Sequence, residues 1–232
     1  MPYRYVKKYP KPIRHHRQIR ISKFLSLFFV FLGTGLILSA LFPILSYQFF
    51  VSPQVTGLLN PAVSSIVLGQ SSTLDTTQIS NWFVNAPKLP PLPSKITHYS
   101  LSIPKLKIDQ AVVKIGGSDL KKSLIHYQGT AFPGQLGTTV IFGHSSLPQL
   151  FMSQNYLTIF TYLPKMTKGD EILIEFDSIL YKYLVEEVTE VTPDDVSIME
   201  QRYDDSYLAL VTCVPPGTTI NRLVVRAKIT KI

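Results

Sequence analysis

A thiol, an imidazole and a guanidinium, each at one end of a β-like run, are the groups in this sequence best suited to chemistry. Cys213 is the only cysteine among 232 residues; it ends an apolar run that begins at Leu208, and Arg222 follows nine positions later. Upstream, His144 ends another such run, which begins at Thr138. A lone cysteine cannot form an internal disulfide. Nucleophilic acyl transfer on a thiol uses these three side-chain types.

Each of the three side chains has a defined use in that reaction. A free thiol has a pKa of about 8.5, so a nearby cation is needed to raise the thiolate fraction at neutral pH. An imidazolium protonates the departing amine, and a guanidinium stabilises the oxyanion. Strand alternation places Arg222 nearest to Cys213, because Arg226 lies about 13 Å further along its strand. Arg222 is therefore predicted to hold the acyl oxygen.

The same residues also have ordinary structural interpretations. A lone cysteine is by default a small buried apolar side chain, and a histidine beside a glycine is by default a loop residue. One cysteine and one histidine without a further cluster do not complete a tetrahedral site, so no metal is predicted. Of the other histidines, His15 and His16 belong to a basic tail and His98 begins the folded domain. His126 is predicted to lie in a loop that lines the groove.

The net charge of +8 is concentrated at the N-terminus. Residues 1–23 contain eight of the 23 Lys and Arg residues and no Asp or Glu, which leaves 15 basic against 15 acidic residues elsewhere. A formally neutral remainder argues against a nucleic-acid-binding domain. We therefore interpret residues 1–23 as a cytoplasmic tail that attracts anionic lipid headgroups.

Residues 24–45 are almost wholly apolar. As a helix they would extend about 33 Å, enough for a bilayer core of about 30 Å. The basic flank should stay cytoplasmic, which predicts an uncleaved single-pass anchor with the C-terminal part outside the cell. A cleaved signal peptide and a buried helix of a soluble protein are the alternatives.

Composition divides the remaining sequence at about residue 95. Residues 46–94 are rich in Pro, Ser and Thr and are interpreted as a linker, within which Trp82 is predicted to pack on the flank of the domain or to act as a lid. Residues 95–232 contain about eight short β-like runs with few helical periods, including a hairpin around Asp177 and Ser178 and a helical turn at 120–125. This pattern predicts a mainly β, closed or nearly closed barrel with short helices.

Six segments, in order along the chain, resemble the sortases, membrane-anchored cysteine transpeptidases of Gram-positive-type cell surfaces. The Thr-Cys pair at a strand end, followed by an arginine, is the most specific of these features. The basic tail with one apolar span is also similar to a sortase. The six segments are 101–108, 126–131, 140–144, 168–172, 210–213 and 222–226.

The resemblance implies a role for each matched residue. Cys213 matches the nucleophile that attacks a Thr–Gly-type bond in a C-terminal, LPxTG-like sorting signal. His144 matches the general acid and later base, Arg222 the residue that orients the substrate carbonyl, and Thr212 a residue that positions Cys213 or the substrate. The implied fold is the eight-stranded sortase barrel. No cofactor is implied, and the calcium site of some members cannot be assembled here.

The implied partners are surface proteins that carry a sorting signal, together with an amine from a cell-wall precursor or a pilin lysine. The Cys-x-Pro-x-Gly spacing at Cys213 is similar to that of pilus-assembling members. Those members usually have a C-terminal span and an Asp-Pro-aromatic lid, whereas this sequence ends after its last strand and offers Asn81, Trp82 and Phe83. A housekeeping enzyme that anchors proteins to the wall is expected at least as strongly.

Two other classes are weighed against the sortases. In papain-like acyltransferases the cysteine precedes the histidine, the reverse of the order His144 and Cys213, and the Ser-His-Gly-Cys signature of cross-linking transpeptidases is missing. A non-enzymatic wall-binding module with a buried thiol is the second alternative.

Overall fold

The structure is a computed structural model that describes residues 4, 16–46, 49, 75, 77–83, 86–87 and 89–231. It divides into two compact units, Met1–Phe42 and Pro43–Ile232. Most of the predicted basic tail and much of the predicted linker lie outside the described residues.

One helix, α1, runs from His16 to Ser46. Its window Leu25–Phe42 contains 18 residues with a mean hydropathy of 2.3, and none of this window is buried. An apolar helix that is exposed over this length does not fit the core helix of a soluble domain. By length and composition α1 is able to cross a membrane, a property that signal sequences share.

Eight strands form a closed barrel in the order β1-β2-β3-β4-β7-β8-β6-β5. The pairs β2–β3 and β4–β7 are parallel, and the other pairs are antiparallel. This architecture confirms the predicted mainly β barrel of eight strands. The strands are β1 His98–Ile103, β2 Ile108–Ile115, β3 Leu124–His126, β4 Gly137–Phe142, β5 Glu171–Phe176, β6 Ile179–Val191, β7 Ser206–Val214 and β8 Asn221–Thr230.

The central strand β7 is buried on both faces, which explains its nearly continuous apolar sequence. Leu208 and Leu210 point into the barrel and join its main core. Ala209, Val211 and Cys213 point the other way, into a second apolar cluster on the outer face of the sheet. The thiol therefore lies outside the barrel, under a layer that covers β7.

His126 is not the groove-lining loop residue that its sequence context predicted. It ends β3, is completely buried, and accepts or donates hydrogen bonds on both ring nitrogens. Nδ1 lies 2.9 Å from the Tyr99 hydroxyl, and Nε2 lies 3.0 Å from Thr130 Oγ1, whose own proton goes to the Tyr127 carbonyl. The predicted helical turn at 120–125 is likewise wrong at its C-terminal end, which belongs to β3.

Burial of His126 predicts acid sensitivity of the barrel. Burial lowers the pKa of His126 from 6.5 to about 4. As the pH falls, His126 therefore binds a proton in the unfolded chain before it does so in the folded one. The free energy of unfolding is highest above pH 6.5 and decreases as the pH falls toward 4, by up to about 3 kcal/mol. Urea unfolding between pH 7.5 and 4.5, followed by circular dichroism, measures this slope. His126→Gln should make this slope shallower, and an unchanged slope would contradict the prediction.

Candidate active site

Cys213 and Arg222 are direct cross-strand partners at one end of the sheet. β7 and β8 are antiparallel neighbours, and their register sets Cys213 opposite Arg222. Facing residues in such a pair have Cβ atoms about 5 Å apart and project to the same side. Both residues are almost completely buried. The strand-to-strand turn thus brings a thiol and a guanidinium together.

His144 reaches the same level by a parallel pairing. The β4–β7 register ends with Phe142 opposite Val211, and the Gly143 N–H still donates to the Val211 carbonyl (3.0 Å). Extending this register by two residues places His144 level with Cys213. The strand registers therefore place the three residues predicted from the sequence at one end of the sheet, level with one another.

The glycine before His144 permits a close approach. A Cβ at Gly143 would lie 2.3 Å from a ring carbon of Phe160 and 2.6 Å from a methyl group of Leu124. Because that space is free, Phe160 packs against the end of β4 and its N–H donates to the His144 carbonyl (3.0 Å). Gly143 is thus required for the loop that presents the imidazole.

Two hydroxyl groups link the ends of β4 and β7. Thr212 Oγ1 donates to the Gly143 carbonyl (2.8 Å), and Ser145 Oγ donates to the Cys213 carbonyl (2.6 Å). Thr212 therefore contacts the backbone that leads to His144. Ser145 was not singled out by the sequence, because a serine after a histidine gives no distinguishing signal before the strand pairing is known.

The guanidinium of Arg222 already holds a carbonyl group. Its Nε and Nη2 donate to the backbone oxygen of Trp82 at 3.1 and 2.7 Å. Its Nη1 donates to the carbonyls of Thr219 and Asn221 at 3.0 and 3.1 Å. Two parallel donors directed at one oxygen form the geometry that stabilises a developing oxyanion.

Residues 77–83, here called the cover segment, lie directly over these side chains. The Trp82 ring packs edge-on against the rings of His144 (6.0 Å between centroids) and Phe142 (5.7 Å). Phe83 also contacts Phe142, and the Arg222 guanidinium lies 5.5 Å from the Trp82 ring centroid. Trp82 was expected on the flank of the domain or as a lid; it lies over these side chains, at the end of the sheet where Cys213 and Arg222 pair.

Backbone hydrogen bonds attach the cover segment to the loop after β2. The Ile79 N–H donates to the Ser118 carbonyl (3.0 Å), and the Leu120 N–H donates to the Thr77 carbonyl (2.9 Å). Gln78 and Asp119 form an isolated β-bridge. Trp82 itself is 1% exposed. The cover segment is therefore packed as part of the apolar cluster on the outer face of β7.

Burial keeps the thiol and the imidazole neutral in this covered form. It raises the pKa of the Cys213 thiol to about 11, with the Arg222 charge opposing the shift. It lowers the pKa of His144, against the opposing effects of a hydrogen bond to the Ser145 carbonyl and of the Asp75 carboxylate. At pH 7 the pair is thus thiol and neutral imidazole; Cys213 is almost completely buried, whereas His144 is half-buried.

The hydrogen bonds of His144 define which nitrogen is free to react. Nδ1 lies 3.2 Å from the Ser145 carbonyl, an acceptor only, so Nδ1 carries the proton. Nε2 is buried and has no hydrogen-bond partner among the described residues. It therefore presents a lone pair that is able to accept a proton. In the same described part of the chain, no group of three or more His, Cys, Asp or Glu residues is arranged to hold a metal ion.

Comparisons with known proteins identify the family of this chain. Residues 101–230 match the family model of the Sortase domain. The chain is 27% identical over 116 residues to Sortase D of Bacillus subtilis (strain 168), covering 50% of this chain and 53% of that protein. It is 30% identical over 128 residues to Sortase A of Bacillus anthracis, covering 54% and 56%. The match spans about half the length of these relatives.

Solved structures show the same barrel. Sortase A from Corynebacterium diphtheriae superposes with a TM-score of 0.52 at 27% identity, covering 60% of this chain and 63% of that one. The pilus-related Sortase C of Group B Streptococcus superposes with a TM-score of 0.53 at 26% identity, covering 65% and 77%. With a family match over more than half of its residues, the chain belongs to the sortase family.

Proposed function

We propose that this protein is a cysteine transpeptidase that cleaves an LPxTG-like sorting signal and transfers the acyl group to an amine. The observation that carries the proposal is the cross-strand pairing of Cys213 with Arg222, with His144 at the same level of the sheet. Membership of the sortase family supports the same reaction. Thr212 would contribute by holding the backbone before His144 in place.

In the first half of the reaction, the Cys213 thiol transfers its proton to Nε2 of His144 and its sulfur attacks the carbonyl carbon of the scissile bond. The Arg222 guanidinium stabilises the resulting oxyanion. His144, now an imidazolium, protonates the leaving amine as the C–N bond breaks, which leaves a thioester on Cys213.

In the second half, an incoming amine loses a proton to His144 and attacks the thioester carbon. The C–S bond breaks, the sulfur regains a proton from the imidazolium, and a new amide bond is released. Both halves require that a substrate carbonyl replace the Trp82 carbonyl as the acceptor of the two parallel donors Nε and Nη2 of Arg222, here called the Arg222 fork. The covered arrangement is therefore the resting state, and the cover segment has to move before acylation.

Location at the cell membrane follows from the same proposal. In this proposal the apolar helix α1 is a single-pass anchor, with the N-terminus in the cytoplasm and the barrel outside the cell; its length and composition support this role. Such an arrangement places the thiol on the side where surface proteins and wall precursors meet. Membrane lipid is then a partner of α1 and of the basic residues before it.

The amine nucleophile defines two candidate subclasses. Wall anchoring uses an amine of a cell-wall precursor, and pilus assembly uses a pilin lysine to form an isopeptide bond. A competition experiment separates the two. The acyl-enzyme is mixed with equal concentrations of a wall-precursor peptide and a lysine-bearing pilin peptide, and mass spectrometry identifies the products.

Replacing Cys213 with Ala is expected to abolish the covalent adduct with a sorting-signal peptide. The thioester forms on this sulfur, so no other described side chain replaces it in the proposed mechanism. Intact-protein mass spectrometry after incubation with an LPxTG-like peptide measures the adduct, and circular dichroism checks that the small buried substitution leaves the barrel folded. An adduct that survives in Cys213→Ala contradicts the assignment.

A wall-binding module without activity is separated by thiol reactivity. Slow alkylation of the wild-type thiol is expected under either interpretation, since burial under the cover segment raises the pKa of Cys213 to about 11. The informative measurement is therefore the alkylation rate of a variant in which the cover segment is weakened, such as Trp82→Ala. If Cys213 stays unreactive there as well, the buried-thiol module is favoured.

A further inference from the structure

The backbone ladder between β4 and β7 ends just before the reactive residues. Its last bond runs from the Gly143 N–H to the Val211 carbonyl. In a parallel ladder the next donor toward β7 would be the backbone N–H of residue 145, directed at the carbonyl of Cys213. The structure instead supplies a side-chain donor, since Ser145 Oγ lies 2.6 Å from that carbonyl.

Ser145 also contacts the imidazole. Its carbonyl accepts the Nδ1–H of His144 at 3.2 Å, which leaves Nε2 as the unprotonated nitrogen. Ser145 is 5% exposed, and the bond from its hydroxyl to the Cys213 carbonyl is buried. One residue is therefore bonded to the backbone of Cys213 through its hydroxyl and to the side chain of His144 through its carbonyl.

We propose that Ser145 is a positioning residue that holds His144 as the Nδ1–H tautomer, level with Cys213. The inference rests on the proposed acyl transfer, in which Nε2 accepts the thiol proton. Without the hydroxyl, the Cys213 carbonyl loses a donor and Ser145 loses its bond to β7, so the Ser145–Ser146 peptide, whose carbonyl accepts from Nδ1, is able to shift. The carbonyl then leaves Nδ1, the proton redistributes between the ring nitrogens, and a ring protonated on Nε2 is unable to accept the thiol proton.

The test uses the full chain in detergent with three substitutions. Ser145→Ala removes the hydroxyl, and Ser145→Thr keeps it. Ser146→Ala is the matched control, because the Ser146 hydroxyl makes no hydrogen bond to any described residue. Two readouts are measured: the rate of adduct formation with saturating LPxTG-like peptide, and the ¹⁵N chemical shifts of the His144 ring, assigned by comparison with His144→Gln.

Ser145→Ala is expected to lower the saturated rate about tenfold, the size typical for one buried hydrogen bond, while the peptide concentration at half-maximal rate stays unchanged. Its ¹⁵N shifts should show a mixture of tautomers. Wild type, Ser145→Thr and Ser146→Ala should all show a single tautomer protonated on Nδ1, and Ser145→Thr should recover most of the rate.

Two results overturn the proposal. One is a Ser145→Ala protein with the rate and the ¹⁵N shifts of Ser146→Ala. The other is equal impairment of Ser145→Ala and Ser145→Thr with a common loss of thermal stability, which would make the residue structural only. The ¹⁵N readout needs no peptide, so the tautomer of His144 is tested even if Cys213 proves not to be the nucleophile.

Discussion

Replacing Trp82 with Ala is expected to increase the rate of Cys213 alkylation by iodoacetamide at pH 7 about 100-fold. Truncation of a buried aromatic side chain costs about 3–5 kcal/mol, and here that loss weakens the closed position of the cover segment. Once the thiol meets water, its pKa returns from about 11 toward about 8.5, which raises the thiolate fraction at pH 7 by a similar factor.

Intact-protein mass against time gives the alkylation rate, and the pH dependence provides an independent check. The wild-type rate should keep rising with pH up to about 11, whereas the Trp82→Ala rate should level off at lower pH. Tyr203→Ala is the matched control, because Tyr203 is an aromatic residue that is 69% exposed. Equal rates for wild type, Trp82→Ala and Tyr203→Ala would show that the cover segment does not limit access to the thiol.

Replacing Arg222 with Lys is expected to lower the rate of adduct formation with a sorting-signal peptide 100-fold or more. Loss of one oxyanion donor raises the barrier by about 3 kcal/mol, and lysine keeps the charge without the two parallel donors. Alkylation by iodoacetamide forms no oxyanion, so its rate should not fall. The contrast between the two reactions separates stabilisation of the acyl oxygen from a general effect on the thiol.

Because Arg222 also holds the Trp82 carbonyl, both rates are compared in the Trp82→Ala background. Trp82→Ala with Arg222→Lys is measured against Trp82→Ala alone. Arg226→Lys in the same background is the control, since Arg226 lies on the same strand and face but opposite Ala209, four residues or about 13 Å along the strand from the thiol. If Arg226→Lys impairs acylation as strongly as Arg222→Lys, the assignment of the oxyanion donor is wrong.

The pairing of Cys213 with Arg222 could be predicted because both determinants are local. Side-chain alternation and a short connection between two consecutive strands define which residues face each other. The level of His144 depends on a parallel pairing between β4 and β7, which are far apart in sequence. No local pattern contains that register, so the sequence indicates the imidazole as a candidate but not its distance from the thiol.

Trp82 and His126 illustrate what the sequence could not provide. The cover segment is short and follows a Ser/Thr-rich stretch, and its position depends on backbone bonds to residues 118–120 and on an apolar layer from β4, β7 and β8. His126 is satisfied by Tyr99 and Thr130 inside the barrel, and a buried polar cluster of this kind leaves no periodic signal. The position of Trp82 was left open between the flank and a lid, and His126 was misplaced, for the same reason: their partners are non-local.

The bond between the Trp82 carbonyl and Arg222 also affects which substrates are able to bind and react. When the binding-competent form is a small fraction of the population, the apparent dissociation constant of a free peptide increases by the inverse of that fraction. A substrate confined near the enzyme has a much higher effective concentration and overcomes this handicap, whereas the same motif diluted in bulk solution does not. Proximity would then contribute to selectivity alongside the motif itself.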